Sequence, residues 1–420
     1  AEIHLRAKEF RELPTSHGQT DQFKETAFIN PAVHKRGDTP TYFLSVEKRL
    51  TPATEQDNRD RQASCPRRDM INEYDRLMPS PPLWSPEKHS RYVDLAIDEY
   101  CSKRTEQAVL GKLAAHDPDR SGSDIKISLK NQVIKKQEKQ LKDAFPGQLI
   151  HEYDIAQTLA DSSYALFLEH EIIPAFPPNF HFYRRLSPSG FTDLYNHNWR
   201  KHNGAYSSDV TRWDVGCDAG LLNFDLHVMT RSGYPKPYID DYASRRLTSW
   251  SQHGPLATMQ PSGDRYTWPL TTVRRAVVTS LVCQITSEDN VLINGDDAAV
   301  DRHCTALPFP DSPWEFKDEN GHEVEFSGFT VGGDQPYYSA QGIHYRTLIL
   351  LSRDPSAQDK WVNYLDLLQW CDLDTPEALD VARSAHVHMQ QALFATYLPL
   401  PLRPHFPHVS FPTEFLALPS

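Results

Sequence analysis

Three aspartates, Asp209, Asp296 and Asp297, carry the most specific chemistry available to this 420-residue sequence. Asp209 closes an extended stretch, Ala205 to Val210, and Asp214 follows shortly after. The other two sit at a tight turn, Asn294-Gly295-Asp296-Asp297, between Val291-Leu292-Ile293 and Ala298-Ala299-Val300. That pattern reads as a β-hairpin with its acids at the tip. Carboxylates crowded in apolar settings repel one another and are costly to desolvate, so the arrangement calls for hard, oxygen-seeking cations. Mg²⁺ is the expected ion, in two copies, with Mn²⁺ as a substitute. Two such ions about 3.5–4 Å apart serve phosphoryl transfer. The expected reaction is nucleotidyl transfer, with Asp209 and Asp296 bridging the ions and Asp297 supporting them.

Between the acids, Ser262-Gly263 reads as a flexible turn whose backbone amides can approach a phosphate or a base pair. Upstream, Lys126, Lys130, Lys135, Lys136, Lys139 and Lys142 are opposed within their window by Glu138 alone. A lysine run in isolation is usually a solvated helix face. Its position ahead of the aspartates favours phosphate contact instead, and Lys130, Lys135 and Lys136 are the candidate point charges for a triphosphate.

The ordered set resembles motifs A, B and C of viral RNA-dependent RNA polymerases. It runs Asp209-x4-Asp214, then Ser262-Gly263-x3-Thr267-x3-Thr271-Thr272, then Gly295-Asp296-Asp297. The alphavirus-like supergroup, in its tymovirus and flexivirus order, is the nearest match, and Asp214-Val215-Gly216-Cys217-Asp218 with Ser262-Gly263-Asp264-Arg265 resembles a mycovirus-type member. Leu129 to Lys136, continued by Pro146 to Ile150, is similar to motif F, the basic fingers segment. His34 to Asp38 and Lys48-Arg49-Leu50 resemble a fainter signature at the family's N-terminal edge.

The resemblance implies an α+β right-hand polymerase with fingers, a palm built on a small antiparallel sheet backed by helices, and a helical thumb. Its divisions fall at 1–204 (N-terminal extension and fingers, with motif F near 129–150), 205–232 (motif A), 233–258 (fingers insertion), 259–350 (motifs B to E) and 351–420 (thumb and Pro-rich tail). By resemblance, Asp214 takes the sugar-selecting position, where a carboxylate accepts a hydrogen bond from a ribose 2′-hydroxyl. Ser262, Gly263, Thr267 and Thr271 join it as nucleotide-binding residues. Thr271 stands where the family has Asn, which implies altered ribose stringency. Many relatives offer a lysine after motif C as general acid, yet residues 328–353 contain none; His344 and Arg346 are the candidate substitutes. Implied partners are an RNA template and nascent strand, ribonucleoside triphosphates, and methyltransferase and helicase domains of one replicase polyprotein. The implied setting is the host cytoplasm, in membrane-associated replication complexes.

Several elements must position these residues. The apolar spacing predicts a helix from Leu149 to Ile173 stopped by Pro174, and another from an N-cap at Asp218 to Gly233 with Leu221, Phe224 and Val228 on one face. A buried helix over Thr267 to Ile285 follows from Leu270, Val273, Val277 and Leu281. Strands are expected at Thr41 to Val46, in an otherwise irregular 1–64, and at Glu323 to Val331. Pro79 to Pro86 is expected to be a loop, and Pro308, Pro310 and Pro313 interrupt the segment where a palm helix would lie. Amphipathic helices are expected at Gln358 to Cys371 and Pro376 to Thr396, where His386 and His388 face different sides and form no metal pair.

Composition sets the outer limits. A net charge of -12 argues against indiscriminate nucleic-acid binding. Apolar runs are far too short for a membrane span, the first residues lack a signal pattern, and six scattered cysteines without a C-x-x-C pair indicate neither zinc ribbon nor disulfide framework. A first residue other than Met fits a segment of a polyprotein. Three competitors remain. A reverse transcriptase is disfavoured by Asp214, a non-catalytic polymerase-like scaffold is supported only by Thr271 and the missing lysine, and a nuclease lacks its histidine constellation.

Overall fold

The computed structural model describes residues 33–34, 37–102, 104–130, 132–133, 146–184, 186–309, 314–338, 367 and 370–371. Along the chain, β1 (Val33–His34) is followed by α1 (Thr39–Arg49), α2 (Glu55–Ser64), α3 (Arg68–Leu77), α4 (Pro86–Ser102) and α5 (Glu106–Ala114). Strands β2 (Asp124–Leu129), β3 (Gln132–Val133) and β4 (Leu149–Glu152) lead to α6 (Ile155–Phe167), β5 (Phe180–Phe182) and α7 (Pro188–Asn198). Next come β6 (Ala205–Thr211), the single turn α8 (Trp213–Gly216), α9 (Ala219–Arg231), α10 (Lys236–Leu247), β7 (Trp250–Ser251) and β8 (Gly254–Pro255). Helix α11 (Thr267–Cys283) precedes β9 (Val291–Asn294) and β10 (Asp297–Val300), and β11 (Glu315–Gly321), β12 (Val324–Phe326), β13 (Phe329–Val331) and β14 (Tyr337–Tyr338) follow.

The architecture is mixed α+β, centred on a five-stranded sheet in the order β11-β6-β10-β9-β5. Four of these strands run antiparallel to their neighbours, but β5 pairs with β9 in parallel, so the sheet is not purely antiparallel as expected. The reason lies in connectivity: β5 enters from α6 through Ile173–Ala175 and reaches β9 only after the intervening helices, a crossover that permits parallel pairing. Alternation along β6, β9 and β10 gives the sheet two faces. Tyr206, Val210, Val291, Ile293, Ala298 and Val300 join the main core with Leu221, Phe224 and Val228 of α9 and Leu270, Val273 and Val277 of α11. Ala205, Leu292 and Ala299 pack on the other side with Phe191, Val324, Phe326 and Phe329.

Local chemistry accounts for each helix that was legible. The Asp218 side chain accepts from the Leu221 amide and caps α9, and Gly233 beyond its end adopts a φ of +72°. Helix α11 ends at Cys283 with Gln284 left-handed. Helix α6 begins at Ile155 rather than the expected Leu149, because Leu149–Glu152 pairs with β2 as strand β4 and Asp154 caps the helix, and it continues through a π-helical turn (Leu168–Ile172) to a 3₁₀ turn (Ile173–Ala175) around Pro174. Pro79 to Ser85 forms the expected loop.

Elsewhere the structure departs from expectation. Thr41 to Val46 is helical, because Asp38 caps α1 by accepting from the Thr41 amide and Pro40 occupies its first turn. Glu55–Ser64 is likewise a helix, opened by a capping box between Thr54 and Asp57. Glu323 to Val331 is a hairpin, since Ser327 (φ 52°) and Gly328 (φ 85°) make the doubly left-handed turn that joins β12 to β13. Lys135, Lys136, His344, Arg346, His386, His388, most of Gln358 to Cys371, and Pro376 to Thr396 with the Pro-rich tail lie outside the described residues.

Candidate active site

Strand β6 lies between β10 and β11, and the two registers fix what stands beside Asp209. Ala298 pairs with Ser208, so the ladder continued one residue sets Asp297 level with Asp209. On the opposite flank Lys317 pairs directly with Asp209. Cross-strand partners share a face, so Asp297, Asp209 and Lys317 form a row across three strands at one end of the sheet; the acid beside Asp209 is thus Asp297 rather than the expected Asp296, which lies in the turn because β10 begins one residue later. Asp209 and Lys317 are exposed, and Asp297 is half-buried.

The hairpin tip is built by a two-residue turn. Gly295 takes a φ of +61°, the conformation its first central position needs. Its amide donates to Thr272 Oγ1 (3.2 Å), and Trp268 Nε1 donates to Asn294 Oδ1 (3.0 Å), so two residues of α11 hold the turn. Asn294 Nδ2 donates to Ser327 Oγ (2.9 Å), which donates to Asp297 Oδ2 (2.8 Å). Asp297 is thereby fixed by the β12–β13 turn.

Charge at the tip is unbalanced. Asp296 is exposed, yet crowding by protein atoms and the charge of Asp297 push its carboxyl pKa up to about 6. Burial also raises the Asp297 carboxyl, against the Ser327 hydrogen bond, and the charge of Asp209 acts on both. Arg275 of α11 opposes them from below: it is fully buried, and Nη2 donates to the Ser208 carbonyl (2.7 Å) on the strand of Asp209. Its Nε and Nη1 find no hydrogen-bond partner among the described residues.

The donor set suits Mg²⁺, being all carboxylate oxygen with a repulsion that a cation would relieve. Among the described residues, however, no group of three His, Cys, Asp or Glu side chains is drawn together as a closed metal site. Mg²⁺ does not require one, because it keeps several waters and commonly takes one or two carboxylates plus substrate phosphates.

The other sequence-nominated residues occupy distinct places. Asp214 lies in α8, entered through left-handed Arg212 (φ 54°), and its Oδ2 accepts from Arg49 Nη1 (3.2 Å). Ser262 donates Oγ–H to the Leu149 carbonyl (2.9 Å) and its amide to His151 Nδ1 (3.3 Å), so the loop is docked on β4. A Cβ on Gly263 would fall 1.7 Å from the His151 carbonyl oxygen. Close approach to that backbone, rather than a positive φ or a free turn, explains the glycine here, which revises the flexible turn expected from sequence. His151 is 2% exposed, and burial pulls its pKa down to about 4. Thr267 donates to the Asp264 carbonyl (2.7 Å) and to that of Pro261 (2.8 Å). Thr271 is buried, and its hydroxyl has no hydrogen-bond partner among the described residues. Lys130 is exposed and donates to Gln148 Oε1 (2.9 Å), away from the acid row's strands.

Sequence reasoning missed Lys317 and Arg275. The resemblance places the lysine that follows motif C within 328–353, and Glu315–Gly321 is too polar to read as a strand. Arg275 could have been flagged as a charge inside an apolar helical repeat, flanked by Val273, Ala276 and Val277.

No protein-family model matches the chain. It is 29% identical over 189 residues to the RNA replication protein of Botrytis virus F, covering 45% of this chain and 10% of that protein. It is 24% identical over 332 residues to the RNA-directed RNA polymerase of Apple chlorotic leaf spot virus (72% of this chain, 17% of the relative). With the RNA replication protein of Grapevine virus A the identity is 26% over 317 residues, covering 71% and 18%. The chain thus spans between a tenth and a fifth of the length of these relatives.

Proposed function

We propose that this homologue of flexivirus and mycovirus RNA replication proteins, within the alphavirus-like supergroup, is the RNA-directed RNA polymerase of a positive-strand RNA virus. It adds ribonucleotides to an RNA 3′-hydroxyl. The observation that carries the reading is the row formed by Asp209 and Asp297 on adjacent strands, with Asp296 at the hairpin between β9 and β10. In this reading the five-stranded sheet with α9 and α11 is the palm, its edge strand β5 contributed by the segment 1–204 that otherwise supplies fingers together with 233–258, and 351–420 is the thumb of a right hand.

Asp209, Asp296 and Asp297 would hold two Mg²⁺, which when bound would supply acidification of the 3′-hydroxyl and neutralisation of pyrophosphate charge. The chain's own residues do the rest. Asp214 accepts the ribose 2′-hydroxyl, Ser262, Gly263, Thr267 and Thr271 line the nascent pair, and Lys130, Lys135 and Lys136 guide the triphosphate. Lys317, level with Asp209, takes the role of the lysine absent from 328–353 and gives pyrophosphate its proton. Template and nascent RNA, and methyltransferase and helicase domains of the same polyprotein, are the partners. The setting is host cytoplasm, in membrane-associated complexes; no helix among the described residues is long and apolar enough to cross a membrane.

One observation bears on the reverse-transcriptase alternative. Trp213, the aromatic immediately before Asp214 in the sequence, is buried and stacked on Trp314 at 4.2 Å between ring centroids, which speaks against its serving as a steric barrier to a 2′-hydroxyl. The test is primer extension with RNA template, ribonucleotides and Mg²⁺. Extension is expected from the wild type, and Asp296→Ala should abolish it while the circular dichroism spectrum is unchanged. Full activity in that variant removes the mechanism. Calorimetric titration with Mn²⁺ showing no uptake would favour the scaffold.

A further inference from the structure

Arg49, the last residue of α1, touches two segments far from it in sequence. Its Nε donates to the Gly147 carbonyl (3.1 Å) and its Nη1 to Asp214 Oδ2 (3.2 Å). One turn earlier, the buried Ser45 accepts the Gly147 amide at Oγ (2.8 Å). Both polar groups of Gly147 are therefore bound to α1, which packs against β2 and β4. That leaves the guanidinium little freedom. Asp214 is held from its own side, since its carbonyl accepts from the Gln260 amide (2.9 Å) just ahead of Ser262. Its other carboxylate oxygen, Oδ1, has no hydrogen-bond partner among the described residues.

We propose that Arg49 is the positioning residue for sugar selection: it pins Oδ2 of Asp214 and thereby presents Oδ1 to the ribose 2′-hydroxyl. The inference rests on the reading of Asp214 as the sugar acceptor. A carboxylate free to rotate spreads its acceptor positions over several orientations, and a charge-assisted hydrogen bond from a fixed guanidinium removes that spread before substrate arrives. A purely structural role is the weaker account. The two side chains are 25% and 27% exposed, and an ion pair so accessible adds little to folding stability. The geometry also makes Arg more suitable than Lys. Nε and Nη1 serve two acceptors at once, whereas a single ammonium replaces only one of these bonds reliably.

The test compares kcat/KM for ATP and dATP in single-nucleotide extension of an RNA primer–template by the full chain. Arg49→Ala should lower the ATP/dATP ratio about tenfold, the effect of one lost oriented hydrogen bond, through ATP alone. The dATP efficiency should hold, and the lost Gly147 bond should show only as a modest drop in melting temperature. Arg49→Lys should retain an intermediate ratio. Asp214→Ala should lower the ratio at least as far, and adding Arg49→Ala to it should lower it no further. An unchanged ratio in Arg49→Ala, or equal losses for ATP and dATP, overturns the proposal. If Asp214→Ala polymerises with an unchanged ratio, the sugar-acceptor reading fails and takes the inference with it. A wild type that extends no primer removes the polymerase reading itself.

Discussion

At Asp296 the electrostatics set a pH window. Its carboxyl pKa of about 6 lies above the ordinary value, so the folded, metal-free protein holds the proton more tightly than the unfolded chain does. Stability should therefore fall as pH rises from about 4 to about 6 and then level. Asp296→Asn, measured in EDTA at pH 7.5, should be more stable to unfolding than wild type by about 1 kcal/mol once screening of an exposed group is allowed for. The two should converge near pH 4. Equal melting at both pH values would mean that crowding at the tip is not felt. With Mg²⁺ bound as proposed, the same proton would compete with the ion, so half-saturation should need more metal below pH 6. At Lys317 the expectation is kinetic. Lys317→Met sits on an exposed edge strand and should leave stability within about 0.5 kcal/mol. It should lower kcat by 10²-fold or more if the ammonium is the proton donor, on the order of typical general acids. Retained kcat would assign the proton elsewhere.

The elements that carry the acid row depend on a second buried charge. Arg274 is 1% exposed and donates Nε to Asp225 Oδ1 (2.8 Å) and Nη1 to Gln260 Oε1 (2.9 Å), tying α11 to α9 and to the segment before Ser262. Arg274→Met strands Asp225 in the core and should cost about 3–5 kcal/mol in urea unfolding, whereas Arg274→Met with Asp225→Leu should recover most of it. Additive losses in the double variant would contradict the pairing. How much of these elements was legible follows from where apolar residues repeat. Strand β6, α9, α11 and the hairpin each bury a face against the main core, and that burial is written into their periodicity. Strand β11 buries almost nothing: Phe316 is its one apolar side chain, and pairing with β6 alone makes it a strand. In helix α1, Tyr42-Phe43-Leu44-Ser45-Val46 reads as strand-like in sequence, but the cap at Asp38 and Pro40 in the first turn favour the helix. The acids were evident from sequence, but their neighbours Lys317, Arg275 and Arg49 arrive from distant segments that only pairing and packing bring together.

For the molecule as a whole, 56 acidic against 44 basic residues mean that any hold on RNA must come from local basic segments, not from the overall field. Binding of a primer–template should weaken steeply with salt, with a log–log slope that becomes less negative by about 1 for each phosphate-contacting lysine removed from the Lys126 to Lys142 run. A slope unaffected by replacing Lys130, Lys135 and Lys136 would put the RNA elsewhere. Three regions of the chain converge near the proposed sugar position: α1 through Arg49, β4 through His151, and the Ser262-Gly263 loop. Their closest seam is at residue 263, where only a hydrogen fits beneath the His151 carbonyl. Even one added methyl there becomes a wedge between two parts that must close together, a lesion whose penalty grows with thermal agitation. Gly263→Ala is accordingly the place to seek a heat-sensitive allele, permissive in the cold and silent when warmed, with every reacting group left untouched.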